Sequence, residues 1–260
     1  MSQERKSKRQ GRRAKIVQQE KRNRLLMIGL VTLGAILVVA AIVYPQLKPI
    51  AEVVSANPGT HPNPKDNSIG DPNAPIKIEQ FADFQCPFCE NFYKNTEPLL
   101  MQYYIDTGKV QYTFRSMGNF VSDNIARAKG TPATTESQDS AAAAYCAGDQ
   151  NKFWDMHAYL FANALGEDAG SFTDKRLTAI AEKAGLNMDQ FNSCYSTGKF
   201  KDRVQKDAQD GQAANVTGTP SFIITYTVNG ETKTDRIDGA EQFSTFQQKL
   251  ETALNAIGPQ

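Results

Sequence analysis

The sequence predicts an α/β fold, with a βα unit, a block of helices and a closing ββα unit, carried behind one N-terminal transmembrane helix. Three observations predict it. Leu25 to Tyr44 is a run of 20 residues without a charge, long enough as a helix to cross a bilayer core. Ile76-Lys77-Ile78-Glu79 alternates as a strand does and leads straight into a helical pattern. Near the other end, Asn229-Gly230 separates two strand-like runs, a strong hairpin signal, before a last helical stretch.

Charge divides the chain as hydropathy does. Residues 1–24 carry ten Lys/Arg and two Glu, a net +8, while the remainder carries 19 basic and 26 acidic residues, a net −7. Positive charge stays on the cytoplasmic side of a membrane. The expected arrangement is a basic cytoplasmic tail (1–24), an anchor (25–44), and the rest of the chain outside the cytoplasm. The alternative is a cleaved signal peptide, but the apolar run exceeds the usual signal core. Its best small-residue site, Val54-Ser55-Ala56, lies a dozen residues beyond the run. The tail (Arg5, Lys6, Lys8, Arg9, Arg12, Arg13, Lys15) reads as a topology signal with weak attraction to anionic lipid. No folded basic module accompanies it, so nucleic-acid binding is not expected.

Residues 45–73 contain Pro45, Pro49, Pro58, Pro62, Pro64 and Pro72 with little apolar content, and read as a linker. Residues 74–258 then have the composition of one domain, large enough to bury a core. The first strand runs on through Phe81 and Phe84. A helix starts at about Pro87, a residue tolerated at the first helical position, with Glu90 in its first turn. Phe88, Phe92, Leu99 and Tyr103 are expected on one face. Pro98 should kink the helix and Gly108 end it. Val110 to Phe114 reads as a second strand. Residues 120–215 are mostly helical: an alanine-rich stretch (140–147), an aromatic one (153–161), then Leu177 to Ala184, and Phe191 with Cys194. Ser221 to Val228 and Glu231 to Ile237 form the hairpin, and a helix covers about 241–256.

The chemistry lies in Cys86-Pro87-Phe88-Cys89, between the first strand and its helix. A thiol at a helix N-terminus meets the positive end of the helix dipole and unpaired backbone N–H groups, which favour the reactive thiolate. The spacing lets the second thiol close a disulfide with the first. Cys86, at the helix start, is the expected nucleophile; Cys89, one turn in, is the expected resolving thiol and the more buried. Pro87 and Phe88, between them, are expected to tune the redox balance.

Asp83-Phe84-Gln85-Cys86-Pro87-Phe88-Cys89, the kinked helix after it, the helical insertion, and Gly218-Thr219-Pro220-Ser221-Phe222 entering the hairpin occur in this order. Over residues 74–258 the chain resembles the DsbA-like thiol–disulfide oxidoreductases, in the membrane-anchored form. The resemblance implies a thioredoxin-like fold with a helical insertion at about 120–215. It implies a cis peptide before Pro220, with Thr219 and Pro220 forming the substrate platform beside the cysteines, the Thr219 backbone pairing with substrate and its hydroxyl free to donate to a cysteine sulfur. It implies reduced extracytoplasmic proteins as substrates, a membrane oxidoreductase that reoxidises the pair, and no cofactor.

Two departures stand out. Phe88 replaces the His that some relatives place between the cysteines, which predicts a weaker oxidant. Gln80 stands six residues before Cys86, where relatives often bury an acid, and Glu79 points to the opposite face. Asp83 is closer but is expected to be an exposed loop residue without a catalytic role. Cys146 and Cys194 are expected to form a structural disulfide in an oxidising compartment, closing a loop of about 49 residues and stabilising by roughly 4 kcal/mol. Two buried free thiols, or a relay pair, are the alternatives. His157 reads as a packed helix histidine, and His61 suggests nothing. The rival activities are a reductase or isomerase of the same fold. A cysteine-based metal module fits poorly, since zinc sites usually pair two CxxC-like elements and Cys146 and Cys194 stand alone; no metal is expected.

Overall fold

The structure is a computed structural model, which describes residues 2–47 and 49–258. It forms two compact units, residues 1–50 and 51–260. The side chains of the basic tail from Arg5 to Lys15 lie outside the described residues.

The first unit is one helix, α1 (Ser2–Leu47), which continues past Pro45 rather than stopping there. Gln18–Ala41 is long and apolar enough to cross a membrane, and none of that span is buried. Leu25, Leu30 and Val31 are each about 70% exposed. No helical face is set apart as a packing surface.

The second unit is built on a five-stranded mixed sheet: β1 (Ser68–Ile69), β2 (Ile76–Ala82), β3 (Val110–Ser116), β4 (Ser221–Val228) and β5 (Glu231–Asp238), in the order β1-β3-β2-β4-β5. β2 and β3 are parallel, with Gln80 opposite Phe114; β2 and β4 are antiparallel, with Gln80 opposite Phe222. A parallel pair needs a crossover. Here it is α2 (Pro87–Asn95), the one-turn α3 (Glu97–Leu100), and a π-helical turn (Met101–Ile105). The break falls at Thr96, two residues before Pro98, because proline lacks the N–H that would continue the ladder. Asn229 and Gly230 both have positive φ (50° and 80°), as a tight two-residue hairpin requires.

The buried side is one residue away from the expected one. Phe92 and Leu100 are fully buried, with Cys89, Thr96, Glu97 and Tyr104 beside them, whereas Phe88 is 64% and Tyr103 50% exposed. Phe88 stands in solvent already before the break, and Cys89, Phe92, Thr96, Leu100 and Tyr104 follow one another at helical spacing across it. Phe92 packs on Phe222 and Phe246, with ring centroids 4.6 and 5.5 Å apart, joining α2 to the sheet and to α10 (Phe243–Ile257). Each buried ring contributes roughly 1.5–3 kcal/mol.

Between β3 and β4 lie α4 (Phe120–Lys129), α5 (Glu136–Gly148), α6 (Phe153–Ala162), α7 (Asp174–Lys183), α8 (Met188–Ser196) and α9 (Lys201–Ala213). Cys146 on α5 and Cys194 on α8 are bonded to each other. The alanines of α5 let helices approach closely; Ala143, Ala144 and Ala147 are fully buried.

The expected linker over 45–73 is corrected. Residues from Ala51 onward belong to the domain. Val54 exchanges two hydrogen bonds with the Asn163 side chain (2.8 and 3.0 Å). The guanidinium of Arg176, 2% exposed, donates to the carbonyls of Ala51, Asn163 and Ser171. Val53 packs on the core, and His61 stacks near Trp154 at 5.7 Å. Prolines without N–H groups suit such a strap, because its backbone has fewer donors to satisfy.

Candidate active site

Cys86 is the N-cap residue of α2, with extended backbone (φ −73°, ψ 120°) and Pro87 as the first helical residue. Its carbonyl accepts from the Glu90 N–H, and its own N–H donates to the Asp83 carbonyl (3.1 and 3.0 Å). Pro87 and Phe88 are exposed, while Cys86 is 5% exposed and Cys89 is fully buried. Both cysteines are free thiols.

The two sulfurs differ chemically. A hydrogen bond from Cys89, supported by the backbone N–H groups of Cys89 and Phe88, outweighs burial and lowers the Cys86 thiol to about 7. Burial pushes the Cys89 thiol well above its ordinary value, and the neighbouring Cys86 adds to the effect. One thiol is thus poised as a thiolate near neutral pH and the other is held as a thiol.

Thr219 and Pro220 lie beside Cys86, and the peptide between them is cis. The Cys86 thiol donates to the Thr219 carbonyl at 3.3 Å. This departs from the expected hydroxyl contact, since the Thr219 hydroxyl is buried without a partner.

The loop before Cys86 is held by side chains that sequence reasoning passed over. Gln85 is buried; its amide nitrogen donates to Ser122 and Ser137 (both 2.8 Å), and its oxygen accepts from the Asp168 N–H (2.6 Å). Asp168 accepts in turn from Ser122 (2.8 Å) and Thr134 (2.6 Å). Asp83 is not an exposed loop residue: it is 3% exposed and accepts from the N–H groups of Gln85 (2.9 Å) and Val121 (3.0 Å). Burial raises its carboxyl to about 6.

Behind Cys89, Gln80 is fully buried and its oxygen accepts from the Tyr112 hydroxyl at 2.7 Å. Glu79 points to the other face, paired with Arg115 at 2.6 Å. A second buried acid is Glu97, raised to about 8 by burial although the Tyr112 hydroxyl opposes the rise. It lies eight residues after Cys89, so an acid at two i,i+4 steps along the buried side was its one sequence signal. His157 is buried among Phe84, Phe114 and Phe161 and is lowered to about 3 by burial and by His61.

A thioredoxin family model matches residues 62–248. The "Probable disulfide bond formation protein D" of Bacillus anthracis is 25% identical over 205 residues, 78% of this chain and 88% of that one. A Salinispora arenicola protein named "Na(+)/H(+) antiporter NhaA 1" is 27% identical over 160 residues, and there the chain spans only 22% of its relative. The fold matches oxidised BdbD of Bacillus subtilis (TM-score 0.60, 20% identity, covering 78% of this chain and all of that one). It also matches alpha-DsbA1 of Wolbachia pipientis (TM-score 0.59, 24% identity, covering 74% and 92%). With the sheet order, the helical insertion and the family match over most of its length, the chain belongs to the thioredoxin family, with the DsbA-like disulfide oxidoreductases among its relatives.

Proposed function

We propose that the protein is a membrane-anchored thiol oxidase that introduces disulfides into proteins outside the cytoplasm through Cys86 and Cys89. The observation that carries this reading is the asymmetry of the pair: Cys86 lowered to about 7 beside the Thr219 carbonyl, and Cys89 raised and fully buried.

In the oxidised enzyme Cys86 and Cys89 are joined. A substrate thiolate attacks the Cys86 sulfur, a substrate–Cys86 disulfide forms, and the electron pair of the broken bond passes to Cys89, which takes up a proton. A second substrate thiolate attacks the substrate sulfur of the mixed disulfide. The substrate leaves with its own disulfide, and Cys86 departs as the thiolate its environment favours. Two electrons have moved from substrate to enzyme, with one proton held by Cys89. Thr219 and Pro220 align the peptide by backbone pairing, and exposed Phe88 offers it an apolar contact.

The charge division supports an N-terminus in the cytoplasm, with α1 holding the domain near a membrane oxidoreductase that reoxidises it. The Cys146–Cys194 bond suits an oxidising compartment. It also leaves no free thiolate at 146 or 194 for a four-cysteine metal site.

The test uses the full chain in detergent, oxidised, mixed with a reduced dithiol peptide. One peptide disulfide is expected per protein molecule and none from Cys86→Ser; Cys89→Ser, which cannot hold the internal disulfide, also oxidises none, but its Cys86 thiolate forms a mixed disulfide when the peptide is supplied in its disulfide form. Transfer that persists in Cys86→Ser contradicts the assignment.

A further inference from the structure

The strap residues Asn57 to His61 line one side of a cavity of about 420 Å³. None of Cys86, Cys89, Thr219 or Pro220 lines it. Its deep walls are Glu97, Trp154 and His157, none more than 5% exposed. One Glu97 carboxyl oxygen, His157 Nε2 and Trp154 Nε1 are buried without a partner. Buried polar groups are seldom left unpaired, and three of them at one cavity of this size point to a polar ligand.

The walls select the ligand's charge. Glu97 and Asp106 are acids of the lining, whereas the lining Lys94 is already paired with Glu90. His61, on the strap, also feels the negative charge of Asp155 and Asp106. The rings of Tyr93 and Trp154 line the same cavity, and aromatic rings attract cations. Glu97 Oε2 and His157 Nε2 are 3.9 Å apart. That is too far for a bond between them, but one nitrogen about 2.9 Å from each spans the gap. Pro58, Pro98 and Met101 offer apolar surface to a short carbon chain. A metal ion fits less well, since among the described residues no three His, Cys, Asp or Glu groups are placed to hold one.

We propose that the cavity binds a primary alkylammonium group, whose N–H donors bridge the Glu97 carboxylate and His157 Nε2 and whose charge lies against the Tyr93 and Trp154 rings. The site is separate from the cysteine pair, and its binding does not depend on thiol exchange. Without the cation, burial raises the Glu97 carboxyl to about 8 and keeps it protonated at neutral pH. The ammonium takes the place of that proton. Binding therefore releases one proton, strengthens as pH rises toward 8, and then levels. The other titratable or charged groups around Glu97 are Tyr93 and Lys94 on α2, Asp106, Tyr112 on β3, His157 on α6 and His61 on the strap. Burial lowers both histidines, His157 to about 3, and raises both tyrosines, so the change near pH 8 belongs to Glu97.

Trp154 is the single tryptophan of the chain, so its fluorescence reads the site. The full chain in detergent is titrated with n-butylammonium chloride, with n-butanol and sodium chloride as controls. The expected result is a saturable change, half-complete at about 1 mM or below, that neither control produces. The affinity rises roughly tenfold from pH 7 to pH 9. Glu97→Gln, which keeps the shape, weakens binding by about tenfold or more and removes the pH dependence. The absence of a saturable change, or an equal response to n-butanol, overturns the proposal; this comparison needs no variant. Native affinity and pH dependence in Glu97→Gln overturn it as well. Nα-acetyl-lysinamide carries the same ammonium on a peptide backbone. Displacement of n-butylammonium by it assigns the site to a lysine side chain, and binding of n-butylammonium alone assigns it to a free amine.

Discussion

At the scale of residues, the site depends on two sulfurs three positions apart with opposite shifts. The motif alone indicated which cysteine would be the more exposed, because position one of a helix meets N–H groups and position four meets the core. It did not show that Cys86 itself would be 95% covered, nor that its thiol would reach a carbonyl 133 residues away. Phe88 stands in solvent beside the exposed Pro87. It carries no charge to stabilise the neighbouring thiolate. Phe88→His therefore lowers the Cys86 thiol further and makes the protein more oxidising, by roughly 30 mV for each unit of the shift. Equilibration with glutathione redox buffers measures it; an unchanged or lower potential contradicts the role given to Phe88. Asp83 and Glu97 were the hardest residues to read. Each is an acid in a segment of ordinary polarity, and burial of an acid depends on partners from distant elements, which no local pattern records.

At the scale of elements, local patterns worked where they act alone. Strand alternation in β2, proline and glycine punctuation, and the Asn229-Gly230 turn all have local causes. The short strand β1 escaped notice because two residues carry no period; its hydrogen bonds to β3 define it. The face of the active-site helix was misjudged by one residue, because Phe88 and Cys89 are both apolar and only packing against the sheet selects Cys89 for burial. The loop that presents Cys86 depends on Gln85, whose amide joins it to α4, α5 and the segment around Asp168. Gln85→Ala leaves the Asp168 N–H without its partner, removes a hydrogen bond from each of Ser122 and Ser137, and costs about 1–3 kcal/mol. Chemical denaturation reads this as a lower midpoint with an unchanged slope; a variant as stable as the native chain contradicts the bracing role.

At the scale of the whole molecule, the segment after α1 is the main revision. Proline content and low hydropathy suggested a free spacer, yet its polar atoms meet partners supplied by α6 and α7. Arg176 is central: one guanidinium serves three backbone carbonyls from the strap, the end of α6 and the start of α7. Arg176→Ala orphans all three, destabilising by roughly 3–5 kcal/mol and opening residues 51–61 to limited proteolysis. Unchanged stability and an unchanged cleavage pattern contradict the account of the strap.

The central claim is that Cys86–Cys89 gives up its disulfide to substrates. Its most direct test is the equilibrium reduction potential of the full chain against glutathione, with the Cys86–Cys89 state read by alkylation. With Cys86 lowered to about 7 and Phe88 beside it, the account predicts a potential between those of thioredoxin and DsbA, about −270 and −120 mV. A potential at or below that of thioredoxin contradicts it, because the pair then rests reduced and acts as a reductant.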